Sequence, residues 1–148
     1  MSDLQELYQQ LIIDHGRHPR QFGQLPNANH VKEGHNPLCG DRITVYLHEK
    51  NGVVEEAKFE GSGCAISLAS ASLMMESIKG KTLDELDGLF SQYHQLVLGK
   101  LQSPPKSLGK LLALAGVAEF PMRVKCATLC WHTALAAMKN SYAYVTTE

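Results

Sequence analysis

Ile43, Val45 and Leu47 alternate with Thr44, Tyr46 and His48, Asn51-Gly52 follows, and Val53, Ala57 and Phe59 resume the alternation. A period of two interrupted by Asn-Gly predicts a β-hairpin, because tight two-residue turns need positive φ and these residues adopt it at least cost. The hairpin has one apolar face, which helices must cover. A third strand is expected to run up to Cys64-Ala65-Ile66. The fold class is therefore α+β: a small antiparallel sheet of about three strands packed against several α-helices.

The helices follow from the three- and four-residue spacing of apolar residues. Leu4, Leu7, Tyr8, Leu11 and Ile12 predict an N-terminal helix within residues 1–16, ending near His15-Gly16. Residues 17–37 have no sustained period and are expected to form a long connector. Ser67 is the expected N-cap of a buried helix that reaches Ile78 and stops at Gly80. Thr82-Leu83-Asp84-Glu85 has the capping-box pattern and leads into a helix ending near Gly99. After Ser103-Pro104-Pro105, another helix is expected over Leu108–Leu114. Phe120-Pro121 opens a last helix through Trp131 to Met138. Residues 141–148 are expected to fray.

With 148 residues, 44% hydrophobic and 20% charged, the chain suits a single domain spanning 1–148 with its own core. A net charge of −1 with no basic stripe argues against a nucleic-acid partner. The run Leu11-Ile12-Ile13 is too short for a signal or membrane segment, so no membrane role and a cytoplasmic location are expected. In a reducing compartment, the four cysteines favour metal binding or redox chemistry over disulfides.

Three of those cysteines and one carboxylate form a pattern that a packed core does not require. They lie in His35-Asn36-Pro37-Leu38-Cys39-Gly40-Asp41, Gly61-Ser62-Gly63-Cys64 and Arg123-Val124-Lys125-Cys126. Glycine beside Cys39 and Cys64 allows sharp turns and close approach of a metal or reactant. Cys39, Asp41, Cys64 and Cys126 suit tetrahedral zinc, and sulfur-rich ligation suits an iron-sulfur cluster equally. Spacing alone does not choose between them. On the expected layout Cys39 and Asp41 lie in the loop entering the first strand, Cys64 leads from the last strand into a helix, and Cys126 is in the first turns of the last helix.

These segments, with Asp14-His15-Gly16-Arg17-His18-Pro19-Arg20, Phe59-Glu60-Gly61-Ser62-Gly63-Cys64-Ala65-Ile66-Ser67 and Phe120-Pro121-Met122-Arg123-Val124-Lys125-Cys126, resemble the NifU/IscU-like proteins of iron-sulfur cluster assembly. The resemblance is closer to their SufU-type branch. Lys125 stands where IscU proper has a histidine, the Leu-Pro-Pro-Val-Lys chaperone sequence is replaced by Phe120-Pro121-Met122-Arg123-Val124, and residues 80–115 look like the SufU-type insertion. The resemblance implies an IscU/NifU N-terminal-like fold and a zinc ion on Cys39, Asp41, Cys64 and Cys126. It also implies a SufS-type cysteine desulfurase as partner, a downstream cluster scaffold or apo-protein as acceptor, and zinc-dependent sulfurtransferase activity. In the family's mechanism a desulfurase histidine replaces one cysteine on zinc; here the freed persulfide acceptor maps to Cys39. Arg123 and Lys125 would give electrostatic support or contact the partner. The alternatives are a scaffold holding a transient iron-sulfur cluster on the same four residues, and a purely structural zinc site.

Other candidates have plainer readings. Cys130 is expected to pack. Gly16 and Pro19 argue against a continuing helix, so His15 and His18 are read as surface or partner-contact residues, and His35 as an exposed loop residue. Arg17, Arg20 and Arg42 are candidates for a desulfurase-docking surface. Met74-Met75 belongs to the core.

Overall fold

The computed structural model describes residues 3–141 and 145–147. The expected hairpin is present as β2 (Asp41–Lys50) and β3 (Val53–Ser62), with Asn51 and Gly52 at φ 55° and 80° in the turn. Ile43, Val45 and Leu47 are fully buried on its inner face. The third strand is not the one expected. β3 ends at Ser62, and the additional antiparallel strand, β1 (His30–Asn36), lies inside the segment read as a connector. A two-residue β4 (Val145–Thr146) pairs parallel to β1 at Gly34 and His35, completing a four-stranded sheet of order β3-β2-β1-β4. Residues 145 and 146 are thus held by the sheet rather than frayed. Residues 142–144 and 148 lie outside the described residues.

Helices cover the inner face. Helices α2 (Ala65–Ile78) and α4 (Pro121–Met138) pack on the sheet, while α1 (Asp3–Arg17) packs on α2 and α3 (Leu83–Val97) packs on α4. The capping box of α3 is formed as expected, with Thr82 and Glu85 exchanging bonds at 3.2 and 3.1 Å. The N-cap of α2 is Cys64, not Ser67. Residues 106–119 form a 3-10 segment kinked at Gly109, in place of the α-helix expected over Leu108–Leu114. One apolar core joins sheet and helices, with Trp131 of α4 stacked on Tyr93 and Phe90 of α3 at centroid distances of 5.0 and 5.8 Å. Met74 and Met75 are part of it.

Helix α1 ends at Arg17, one residue beyond the expected stop near His15-Gly16. A Cβ at Gly16 would come within 3.2 Å of the Ala65 carbonyl, so glycine there permits close approach of α1 to α2 rather than ending the helix. His15 is buried, not at the surface. Its Nδ1 lies 2.7 Å from Ser72 Oγ, which also accepts the Arg20 backbone N–H at 2.8 Å. Burial lowers the His15 pKa; the charges of Arg20 and Lys110 add to that effect, and those of Glu76 and Asp14 oppose it. A histidine depressed in the folded state contributes stability above its unfolded value of about 6.5, and that contribution is lost as pH falls through the folded value. His132, whose pKa is lowered by burial and then by His94, acts in the same sense. The urea midpoint is therefore expected to drop between pH 7.5 and 5.5. His15→Gln should flatten that drop in part, and an unchanged slope would remove His15 from this account.

Candidate metal centre

Two strand ends and two helix starts meet at one edge of the sheet. Asn36 closes β1 opposite Asp41, which opens β2, so Cys39 sits in the tight turn between paired strands, with Gly40 at φ +72°. Asp41 is thus the first residue of a strand and is fully buried, rather than part of a loop. At the far end of the hairpin Gly63 leads to Cys64, whose sulfur accepts the Ser67 N–H at 3.4 Å. A helix start favours negative charge at that position. Cys126 lies in the second turn of α4, which Pro121 opens.

The thiol of Cys126 donates toward Cys39 Sγ at 3.2 Å. One ligand atom each from Cys39, Asp41 and Cys126 lie within 4.8 Å of one another, a group that could hold a metal ion. Asp41 is anchored on both oxygens: Oδ1 accepts the Cys64 backbone N–H at 2.9 Å, and Oδ2 accepts from Asn36 Nδ2 at 3.1 Å. Asn36 Nδ2 also lies 3.5 Å from Cys126 Sγ. A carboxylate has about four lone-pair sites, so these bonds leave Asp41 capacity for a metal.

Charge at the site is governed by burial and by Arg123. Burial, then the bond to Cys39 and the neighbouring Cys64, pushes the Cys126 thiol well above its ordinary value. The Arg123 guanidinium reaches Cys39 Sγ at 3.7 Å and Cys126 Sγ at 3.9 Å. Its own pKa is raised, first by the bond to Cys126 and then by the charges of Cys64, Cys126 and Cys39. One exposed cation therefore faces the sulfur cluster.

The model of the NifU-like N-terminal domain matches residues 7–127. The chain belongs to this family. It is 44% identical over 130 residues to the zinc-dependent sulfurtransferase SufU of Bacillus subtilis, covering 88% of each chain. It is 38% identical to the iron-sulfur cluster assembly scaffold protein IscU of Streptococcus pyogenes, covering 95% of this chain and 88% of that one. Among solved structures, a putative iron-sulfur cluster assembly scaffold protein for the SUF system from Fervidobacterium islandicum superposes with a TM-score of 0.80 at 37% identity, covering 86% of this chain and 93% of that one. This NifU-like domain has the fold that the sequence resemblance implied.

Not every expected residue of the NifU-like site joins the tight group. Cys64 stands beside it, tied in through its backbone N–H and acting on Cys126 through charge and a side-chain hydrogen bond. Among the described residues Arg123 hydrogen-bonds the thiols and Lys125 does not. Arg20 and Arg42 spend their guanidinium groups within the chain, on Asp14 at 2.6 Å and Glu33 at 3.4 Å. His35 lies in β1 and is half-buried. Cys130 is buried, and burial pushes its thiol up to about 12, which fits a packing residue. Asn36 was missed as a site residue although it stands three positions before Cys39; an Asn-Pro pair reads simply as extended backbone. No helix among the described residues is long and apolar enough to cross a membrane.

Proposed function

We propose that this chain accepts sulfur at Cys39 from a SufS-type cysteine desulfurase and passes it on in iron-sulfur cluster assembly. Zinc would be held by Cys39, Asp41, Cys64 and Cys126. The observation that carries the reading is the unequal anchoring of the four donors. Asp41 has two hydrogen bonds, Cys64 caps a helix, Cys126 is fixed on α4 beside Asn36, and Cys39 sits in a turn, half-buried, with Arg123 and the Cys126 thiol as its contacts. Cys39 is the donor that can leave its position at least cost.

The donor set suits the ion. Three sulfurs and one oxygen match a closed zinc site, and the edge of a tetrahedron with Zn–S bonds of about 2.3 Å is about 3.8 Å, near the Cys39–Cys126 spacing of 3.2 Å. Bound zinc would keep its thiolate ligands deprotonated at neutral pH. In the transfer, Cys39 Sγ attacks the outer sulfur of the donor persulfide and a new S–S bond forms there. The donor's S–S bond breaks, and its electron pair leaves with the desulfurase cysteine as thiolate. Arg123 offsets the negative charge that the product persulfide carries at Cys39. The exposed side chains of Leu38, next to Cys39, and of Phe120 and Met122, three and one positions before Arg123, would supply apolar contact to the desulfurase. Four free thiols suit a reducing cytosol.

The test is persulfide transfer from a cysteine desulfurase to zinc-loaded and metal-stripped protein, read by mass spectrometry at each cysteine. Added sulfur on Cys39, dependent on zinc, is the expected result. A cluster that assembles on the protein and moves to an apo-acceptor, with no sulfur added when iron is absent, would favour the scaffold reading that the names of several relatives carry.

A further inference from the structure

Asn36 joins the anchored half of the site and has no part in the sulfur transfer itself. We infer that it is a positioning residue of the metal centre, whose amide sets the spacing of Asp41 and Cys126; this rests on the metal-binding reading above. The side chain is fully buried and its Nδ2 lies 3.1 Å from Asp41 Oδ2 and 3.5 Å from Cys126 Sγ. An amide nitrogen carries two hydrogens, one for each of these acceptors. The opposite amide orientation would set its carbonyl against a carboxylate and a sulfur, so the partners fix which way it points. The backbone beneath is fixed too: Asn36 is the last residue of β1, in register with Asp41, and Pro37 restricts it to extended geometry.

The other end of the amide gives the independent observation. Asn36 Oδ1 is buried and has no hydrogen-bond partner among the described residues. A buried acceptor without a partner is destabilising, so an apolar side chain of similar size would serve packing better. Asparagine is explained by its donor end, which binds two groups brought together from β2 and α4. Metal-site partners of this kind orient the ligands and hold the carboxylate's free lone pairs toward the ion. A neutral donor does so without adding charge beside the thiolates. Among the described residues no hydrogen bond joins Asn36 to Cys39, so the amide leaves Cys39 free to exchange.

Two variants of the full chain test this. Asn36→Leu keeps the approximate size and removes both donors, and Asn36→Ala removes the side chain. Zinc affinity is measured by competition with a chromophoric chelator, and the ligand field by the absorption spectrum after cobalt(II) titration. Both variants are expected to bind zinc about 10- to 100-fold more weakly. Their cobalt bands should shift as Asp41 loses its orientation. The metal-free melting temperature should fall in both variants, because Asp41 Oδ2 loses a donor, and further in Asn36→Ala, which also leaves a cavity, but the loss of zinc affinity should exceed the loss of stability in each. Zinc affinity within twofold of the parent in either folded variant would overturn the inference. So would a loss of metal-free stability equal to the loss of zinc binding, which is what a purely structural residue gives. A parent protein that binds no zinc would overturn the metal reading itself, and this inference with it.

Discussion

Cys39→Ala is expected to reduce sulfur uptake from a cysteine desulfurase to background, on the order of 100-fold or more, because the nucleophilic atom itself is removed. The metal-free fold should survive almost unchanged. Cys39 is half-buried in a turn, and its sulfur contacts are the Cys126 thiol at 3.2 Å and Arg123 at 3.7 Å, so the stability change should stay within about 0.5 kcal/mol. Zinc is expected to remain on Asp41, Cys64 and Cys126 with reduced affinity. The measurement is single-turnover persulfide transfer with mass spectrometry of the intact variant. Sulfur appearing at Cys64 or Cys126 at the parent rate would move the acceptor to one of those residues and remove the argument from unequal anchoring.

The hairpin and the capping box of α3 were legible because their signals are local. Alternation of Ile43, Val45 and Leu47 with polar residues, Asn51-Gly52 in the turn, and Thr82 three residues before Glu85 each report short-range geometry. β1 carries no such signal, since its two buried positions are Gly34 and Asn36 and its only aliphatic side chain, Val31, is exposed. Gly34 is there because α4 and β4 press on it: a Cβ would stand 3.1 Å from Leu129 Cδ1 and 3.2 Å from Val145 Cγ1. Asn36 is there for hydrogen bonds to residues 5 and 90 positions away. Neither requirement appears in a periodicity. The ligand candidates were legible for a different reason, because cysteines beside glycines and an aspartate are unusual whatever the fold. What could not be read was which donors converge. Cys64 caps a helix beside the group that Cys39, Asp41 and Cys126 form, and Arg123 reaches two of the sulfurs.

Gly63→Ala is expected to damage the centre nearly as much as losing a ligand, although residue 63 has no side chain to offer. A Cβ built at Gly63 would stand 3.0 Å from Asp41 Cγ and 3.1 Å from Asp41 Cβ, with Oδ1 closer still. The carboxylate has nowhere to go. Asp41 is fully buried, its Oδ1 is held by the Cys64 N–H and its Oδ2 by Asn36, so an added methyl must either break those bonds or push back the backbone that starts α2. Either movement displaces two proposed ligands together. Overpacking of this kind costs about 1–3 kcal/mol in the metal-free protein. Zinc affinity should fall by about 100-fold, at the upper end of what displaced supporting bonds produce. Gly40→Ala provides the contrast, since Gly40 sits next to Cys39 at φ +72° but nothing lies within 4 Å of its would-be Cβ. Its cost is conformational, about 1 kcal/mol, with the ligand spacing kept. Parallel urea melts and chelator competitions on the two variants separate the cases. Equal zinc affinities would show that contact with Asp41, and not backbone freedom beside the cysteines, is the wrong explanation for glycine at position 63.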